Sequence, residues 1–133
     1  MKFSISAITV SAIGLLLSSA AASPVAAASQ LEARDCVANA AIVDQWHEDG
    51  LQRYRVAFST TKSDVALGES CGLFYDGISK CGAVNNNIAC YHSSAADSWV
   101  IDNNQLSSGN TAIEDCLVSK FRDAFANKIG CRV

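Results

Sequence analysis

The sequence predicts an α+β domain: a split βαβ two-layer sandwich with two helices on one face of an antiparallel sheet. It is disulfide-stabilised and carries an extra N-terminal strand or arm. Three observations lead there. Six cysteines come after a segment with the layout of a secretion signal. Two stretches repeat apolar residues at helical spacing, and runs of strand character lie before and between them. The resulting order is strand, helix, strand, strand, helix, strand.

The amino terminus sets the bounds. Met1-Lys2 gives a positive start, Ile5 to Leu17 form an uncharged apolar stretch, and Ser18 to Ala22 supply small residues for cleavage after Ala22. A membrane anchor needs about twenty apolar residues, and this stretch is shorter. Residues 1–22 therefore read as a signal peptide. Residues 23–34 are low in complexity and resemble the short pro-segments of fungal secreted proteins, trimmed here after Arg34. Of 133 residues, removal of these 34 leaves 99, the single cysteine-rich domain 35–133. A domain of that size buries roughly two-thirds of its unfolded surface. Each disulfide adds about 2–4 kcal/mol, against a usual net stability of about 5–15 kcal/mol. Bonds then matter as much as packing.

The elements come in chain order. Ala40 to Trp46 is read as a strand, with helix the alternative over residues 38–46, and His47-Glu-Asp-Gly50 as a turn whose Asp-Gly pair suits a hairpin. Tyr54, Val56 and Phe58 share one face of the next strand. The first helix is placed from Asp64 to about Ser79, with Leu67, Cys71, Phe74 and Ile78 in a stripe. Gly68, Gly72 and Gly77 each weaken it by about 1 kcal/mol relative to alanine, and Gly72 is a candidate for a close helix contact. Asn85-Asn86-Asn87 reads as a turn. Asn87 to His92 and Ser98 to Asp102 form a second hairpin around Ser93 to Asp97. Thr111 and Glu114 make a capping-box pattern for the second helix, whose stripe is Ile113, Leu117, Phe121 and Phe125. Gly130 lies just past its end. Cys131 to Val133 are expected to close the sheet as a short strand.

Charge and motifs exclude several functions. Without Lys2, Arg34 and Glu32, the ten basic and thirteen acidic side chains become eight and twelve, a net charge near −4. Nothing clusters into the basic stripe that nucleic-acid binding needs, so no nucleic-acid partner is expected. The cysteines lack the close pairs of zinc sites and are read as disulfides, with no metal and no cofactor. The path of a split βαβ fold favours Cys81–Cys116, Cys71–Cys90 and Cys36–Cys131, one of fifteen possible connectivities. His47 beside Glu48 and Asp49 raises acid–base chemistry, but a turn normally holds such residues in solvent. His92 ends a separate strand. There is no nucleophile elbow, phosphate loop or dinucleotide fingerprint. No catalytic residue is assigned. Trp46, Trp99 and Tyr91 are read as core or hairpin-pair residues before ligand platforms.

The block Cys71-Gly-Leu-Phe-Tyr-Asp-Gly-Ile-Ser-Lys-Cys81, the run Asn85 to Cys90 and the amphipathic helix ending in Gly130-Cys131 resemble fungal killer-toxin-like secreted effectors. These are relatives of the α/β-sandwich killer toxin of smut fungi, and the resemblance covers most of residues 53–133. It implies the same sandwich and a non-enzymatic, extracellular virulence protein, acting as a monomer on a host or competitor protein, receptor or membrane component. That toxin has more cysteines and is processed into two chains, and no functional residue carries over. A second likeness joins His47-Glu-Asp-Gly50 and Asn103-Asn-Gln-Leu106 to stretches of small guanyl-specific fungal ribonucleases. It implies a His, Glu, Arg, His set on one sheet, for which no Glu and Arg pair falls on one strand here. A secreted structural protein or inhibitor is the third reading. Exposed aromatic residues on the sheet face would favour binding. A cleft joining His47, a carboxylate and Arg53 or Arg55 would favour an enzyme.

Overall fold

The computed structural model describes residues 35–106 and 111–133. The expected signal peptide 1–22 and pro-segment 23–34 lie outside the described residues. Four strands, β1 (Ala38–Glu48), β2 (Leu51–Thr60), β3 (Ala89–Ser93) and β4 (Ser98–Leu106), form one sheet in the order β1-β2-β4-β3. Every neighbouring pair is antiparallel. A 3-10 segment, Leu67–Phe74, runs into α1 (Tyr75–Cys81), and α2 (Ala112–Ile129) comes after β4. The chain is thus an α+β fold, with its helical segments packed on one sheet face and three disulfides.

Local chemistry accounts for the turns. Asp49 and Gly50 both take positive φ, 51° and 77°, the geometry that lets a two-residue hairpin match strand twist. Gly130 closes α2 in the left-handed conformation, its N–H reaching the carbonyls of Ala126 and Asn127. At the other end Thr111 makes no side-chain capping bond, so the capping box does not form. Glu114 turns inward and accepts from Asn103 Nδ2 at 2.8 Å.

The core lies between the sheet and α2. Phe58 meets Phe121 and Phe125 edge-on at 5.1 and 5.6 Å, and Phe74 adds a third edge contact to Phe121. Val56, Ile101 and Leu117 fill the remainder with almost no exposure. Full burial of side chains such as these stabilises by roughly 1.5–3 kcal/mol each.

Two elements differ from the sequence expectation. The first helix begins at Leu67 and opens as 3-10, becoming α-helical only from Tyr75. The close contacts are at Gly68 and Gly77, not Gly72, where a side chain would meet open space. A Cβ on Gly68 would lie 2.6 Å from Trp99 Cη2. The second difference is at the carboxyl end. Cys131–Val133 form no sheet strand; Arg132 makes a single parallel bridge to Val37. The edge position beside β2 is already filled by β1, so the last residues can reach only the root of that strand.

The disulfides join Cys36–Cys131, Cys71–Cys90 and Cys81–Cys116, with Cα separations of 5.0, 5.9 and 5.8 Å. They tie the amino end to the carboxyl end, the 3-10 segment to β3, and α1 to α2.

Candidate functional site on the open sheet face

Both helices cover one face of the sheet, which leaves the other free of helices and strands among the described residues. On a strand, alternate residues share a face. Register therefore places Arg53 and Arg55 of β2 beside Asn104 and Asp102 of β4 on the open side. Tyr91 of β3 shares that side.

The contribution of β1 depends on one irregularity. Ala40 and Ile42 pair with Phe58 and Val56 on the helix-covered face, and the register then shifts between Ile42 and Asp44. A bulge adds one residue and reverses the parity of the rest of its strand. Asp44, Trp46 and Glu48 consequently pair with Arg55, Arg53 and Leu51 on the open face. His47, opposite Gln52, is turned to the other side.

The assembled cluster has two linked halves. Arg55 donates from Nε and Nη2 to the two oxygens of Asp102, each at 2.8 Å, and from Nη2 to Tyr91 Oη at 2.9 Å. The Tyr91 hydroxyl in turn donates to Asp102 Oδ2 at 2.8 Å. Arg53 donates from Nη1 to Asn104 Oδ1 at 2.7 Å and to the Asn87 carbonyl at 3.2 Å, while its Nε lies 3.2 Å from Glu48 Oε2. Trp46 spans both halves: the Arg53 and Arg55 guanidinium carbons lie 5.8 and 5.2 Å from its ring centre. Such cation–π contacts add about 0.5–2 kcal/mol each.

Electrostatics locks the cluster in one charge state. Burial works against ionising Asp102, but the bonds from Arg55 and Tyr91 and the charge of both arginines outweigh it and hold its carboxyl below the ordinary aspartate value. The bond to Asp102 raises the Tyr91 hydroxyl and, likewise, the Arg55 guanidinium. Arg⁺, Asp⁻ and neutral Tyr therefore persist across the ordinary pH range. A depth order accompanies this. The Arg53 and Asp102 side chains are 9% and 5% exposed, whereas Glu48 is 44% exposed and Tyr91 as a residue 38%.

A separate polar chain lies under the helices. Gln105 accepts from the Val84 N–H and donates to Asn103, which donates to Glu114. Burial pushes the Glu114 carboxyl up to about 7, against the bond from Asn103 and with the charge of Asp115.

The residues singled out in the sequence are dispersed. His47 and His92 sit on the two edge strands, opposite Gln52 near one end of the sheet and Trp99 near the other. The structure brings neither to the arginines. Trp99 packs inward against Gly68 and His92. Trp46 and Tyr91 are hairpin-pair residues, opposite Arg53 and Val100, and both lie on the open face. The Glu48–Arg53 pair escapes the sequence because its members lie on two strands, which the hairpin brings side by side. The period-two spacing of Arg53 and Arg55 is the one signal of it that the sequence carries.

Among the described residues no group of three His, Cys, Asp or Glu side chains is placed to hold a metal ion, and no helix is long and apolar enough to cross a membrane. Comparison of the chain with protein-family models, curated proteins and solved structures finds no match.

Proposed function

We propose that this chain is a secreted, disulfide-stabilised recognition protein of the killer-toxin-like effector kind. It acts by binding a host or competitor target through the open sheet face, without turning over a substrate. The observation that carries this reading is the pre-set cluster of Trp46, Tyr91, Arg53 and Arg55. Aromatic and arginine side chains dominate binding energy at protein interfaces. Side chains already held by internal bonds lose less entropy on binding than mobile ones. The three disulfides are compatible with an oxidising, extracellular setting.

The test is the response elicited in target cells, read as cell death, growth arrest or altered defence. Trp46→Ala and Tyr91→Ala should reduce it by at least about tenfold, the loss of one modest interface contact. His47→Ala and His92→Ala should leave it within a few-fold. Loss of response in a folded, fully oxidised histidine variant would instead favour a hydrolase, because general acid–base groups contribute about 100- to 10,000-fold in rate. One observation supports that second reading: Glu48 and Arg53 are ion-paired on the same face as Arg55 and Asp102. Turnover of RNA by the wild type, lost in Glu48→Gln, would establish it.

A further inference from the structure

We infer that the outer edge of β1, with the strip Asp44, Trp46 and Glu48 that it carries, binds an extended basic segment of a partner protein. The segment adds a strand to the sheet and sets a lysine or arginine over Trp46 between two carboxylates. This rests on the recognition reading above and names the partner's chemistry.

The edge comes first. β1 is an eleven-residue edge strand, and among the described residues its outer side is paired only at its root, through Val37 and Arg132. An unpaired edge presents a row of N–H and C=O groups to any extended chain. The opposite edge, β3, has five residues and is bonded to the 3-10 segment through Cys71–Cys90. β1 is the longer and less encumbered of the two.

Charge then selects the occupant. Across the open face the two arginines already have carboxylate partners, Asp102 and Glu48. An anionic ligand would have to displace those carboxylates and leave them uncompensated. What the partner meets is the outer layer: the exposed carboxylates of Asp44 and Glu48 with the half-buried Trp46 between them. Residues two apart on a strand lie about 7 Å apart, so these three side chains form a row matching alternate side chains of an added strand. A cation over Trp46 on the side away from Arg53 and Arg55 gains from the ring, from the Asp44 carboxylate and from the outer oxygen of Glu48, whose other oxygen faces Arg53. A second copy of this chain fits poorly. Symmetric antiparallel pairing centred on Trp46 would set Asp44 of one copy against Glu48 of the other, and like charges directly opposite destabilise.

The probe is a fluorescent ten-residue peptide with lysine at alternate positions and threonine between, titrated into the disulfide-intact protein and read by anisotropy. Binding is expected, weakening by about tenfold when glutamate replaces lysine and again when alternate backbone amides on the pairing side are N-methylated. The double variant Asp44→Asn, Glu48→Gln should weaken it by a similar factor, while the remote Asp123→Asn leaves it unchanged. Near-UV circular dichroism checks folding. Should the double variant fail to fold, the glutamate peptide on wild-type protein decides the question. Equal binding of the lysine and glutamate peptides overturns the inference, as does a β1-mediated dimer that excludes the peptide. If the lysine peptide fails to bind while Trp46→Ala still silences the cellular response, the basic partner is wrong and the recognition reading stands. If Trp46→Ala retains the full response, it is the recognition reading that fails.

Discussion

Glu114 sits in the first turn of α2 with its carboxyl wholly buried, one oxygen accepting from Asn103 and the other without a hydrogen-bond partner. Tyr54 faces it from β2, its own hydroxyl raised by burial and by the charge of Glu114. The helix amino terminus favours the anion by up to about 2 kcal/mol, too little to cancel burial. With a folded value of about 7 against an ordinary 4.5, only the folded state holds the proton between those pH values. Stability therefore falls as pH rises through that window, by up to about 3 kcal/mol. Asp102 has the opposite sign. Its folded value is depressed, so its contribution is present above the ordinary 3.8 and is lost as pH falls through the lower folded value. The protein should be most stable in mild acid, near the ordinary carboxylate values. Glu114→Gln should flatten the decline from pH 5 to 8 and be the more stable protein at pH 8, measured by urea denaturation at both.

At the scale of the element, β1 shows how one residue decides a surface. Val43 is the extra residue of the bulge and is 54% exposed. Were Val43 paired with Arg55 instead of bulged, the Ile42–Val56 register would set Asp44 opposite Tyr54 and Trp46 opposite Gln52, both on the helix-covered face. His47 would then face the open side with the arginines. Deleting Val43 removes the extra residue and lets Asp44 follow Ile42 directly, so Asp44 should stay opposite Arg55 and Trp46 opposite Arg53. The expected result is a folded protein in which Trp46 emission is unchanged, judged against Trp99 in a Trp46→Phe background. Inserting a second residue after Val43, with the one-residue bulge kept, should instead turn Trp46 to the helix-covered face and destabilise by about 1–3 kcal/mol. A changed Trp46 emission in the deletion variant would show that the strand slips and turns Trp46 to the other face. In the 3-10 opening of the first helix, Gly68 lets the backbone approach the Trp99 ring.

Across the whole molecule the three disulfides close loops of very different length. Cys36 and Cys131 are 95 residues apart, whereas Cys71 and Cys90 are 19 apart. Chain entropy makes the long loop worth about 4.7 kcal/mol and the short one about 3 kcal/mol. Replacing Cys36 and Cys131 together by serine should therefore cost more than replacing Cys71 and Cys90, as guanidinium melts would measure. The reverse order would mean that the Cys71–Cys90 link to β3, not loop closure, dominates. The long bond also holds the Arg132 bridge at the root of β1, where Ala38 N–H donates to the Arg132 carbonyl at 2.8 Å.

The four strands, the two helical segments and their order were legible in local residue patterns alone, whereas the closing strand expected at Cys131 to Val133 is a single bridge. Period-two residues Tyr54, Val56 and Phe58 made a strand, the four-spaced Leu117, Phe121 and Phe125 made a helix, and Asp49-Gly50 and Gly130 marked a turn and a stop. These signals are local, because helix and strand periods and positive-φ turns are set by a few neighbouring residues. Which side chains the elements bring together was a matter for the folded chain. Arg55 and Asp102 are 47 residues apart and meet through the β2–β4 register. Glu48 meets Arg53, and Trp46 covers both arginines, because a bulge reversed the second half of β1. Glu114, written in the sequence as a cap, turned inward because Asn103 offered it a buried donor. Register, bulges and buried partners answer to the packing of the whole core, so no short window of residues contains them.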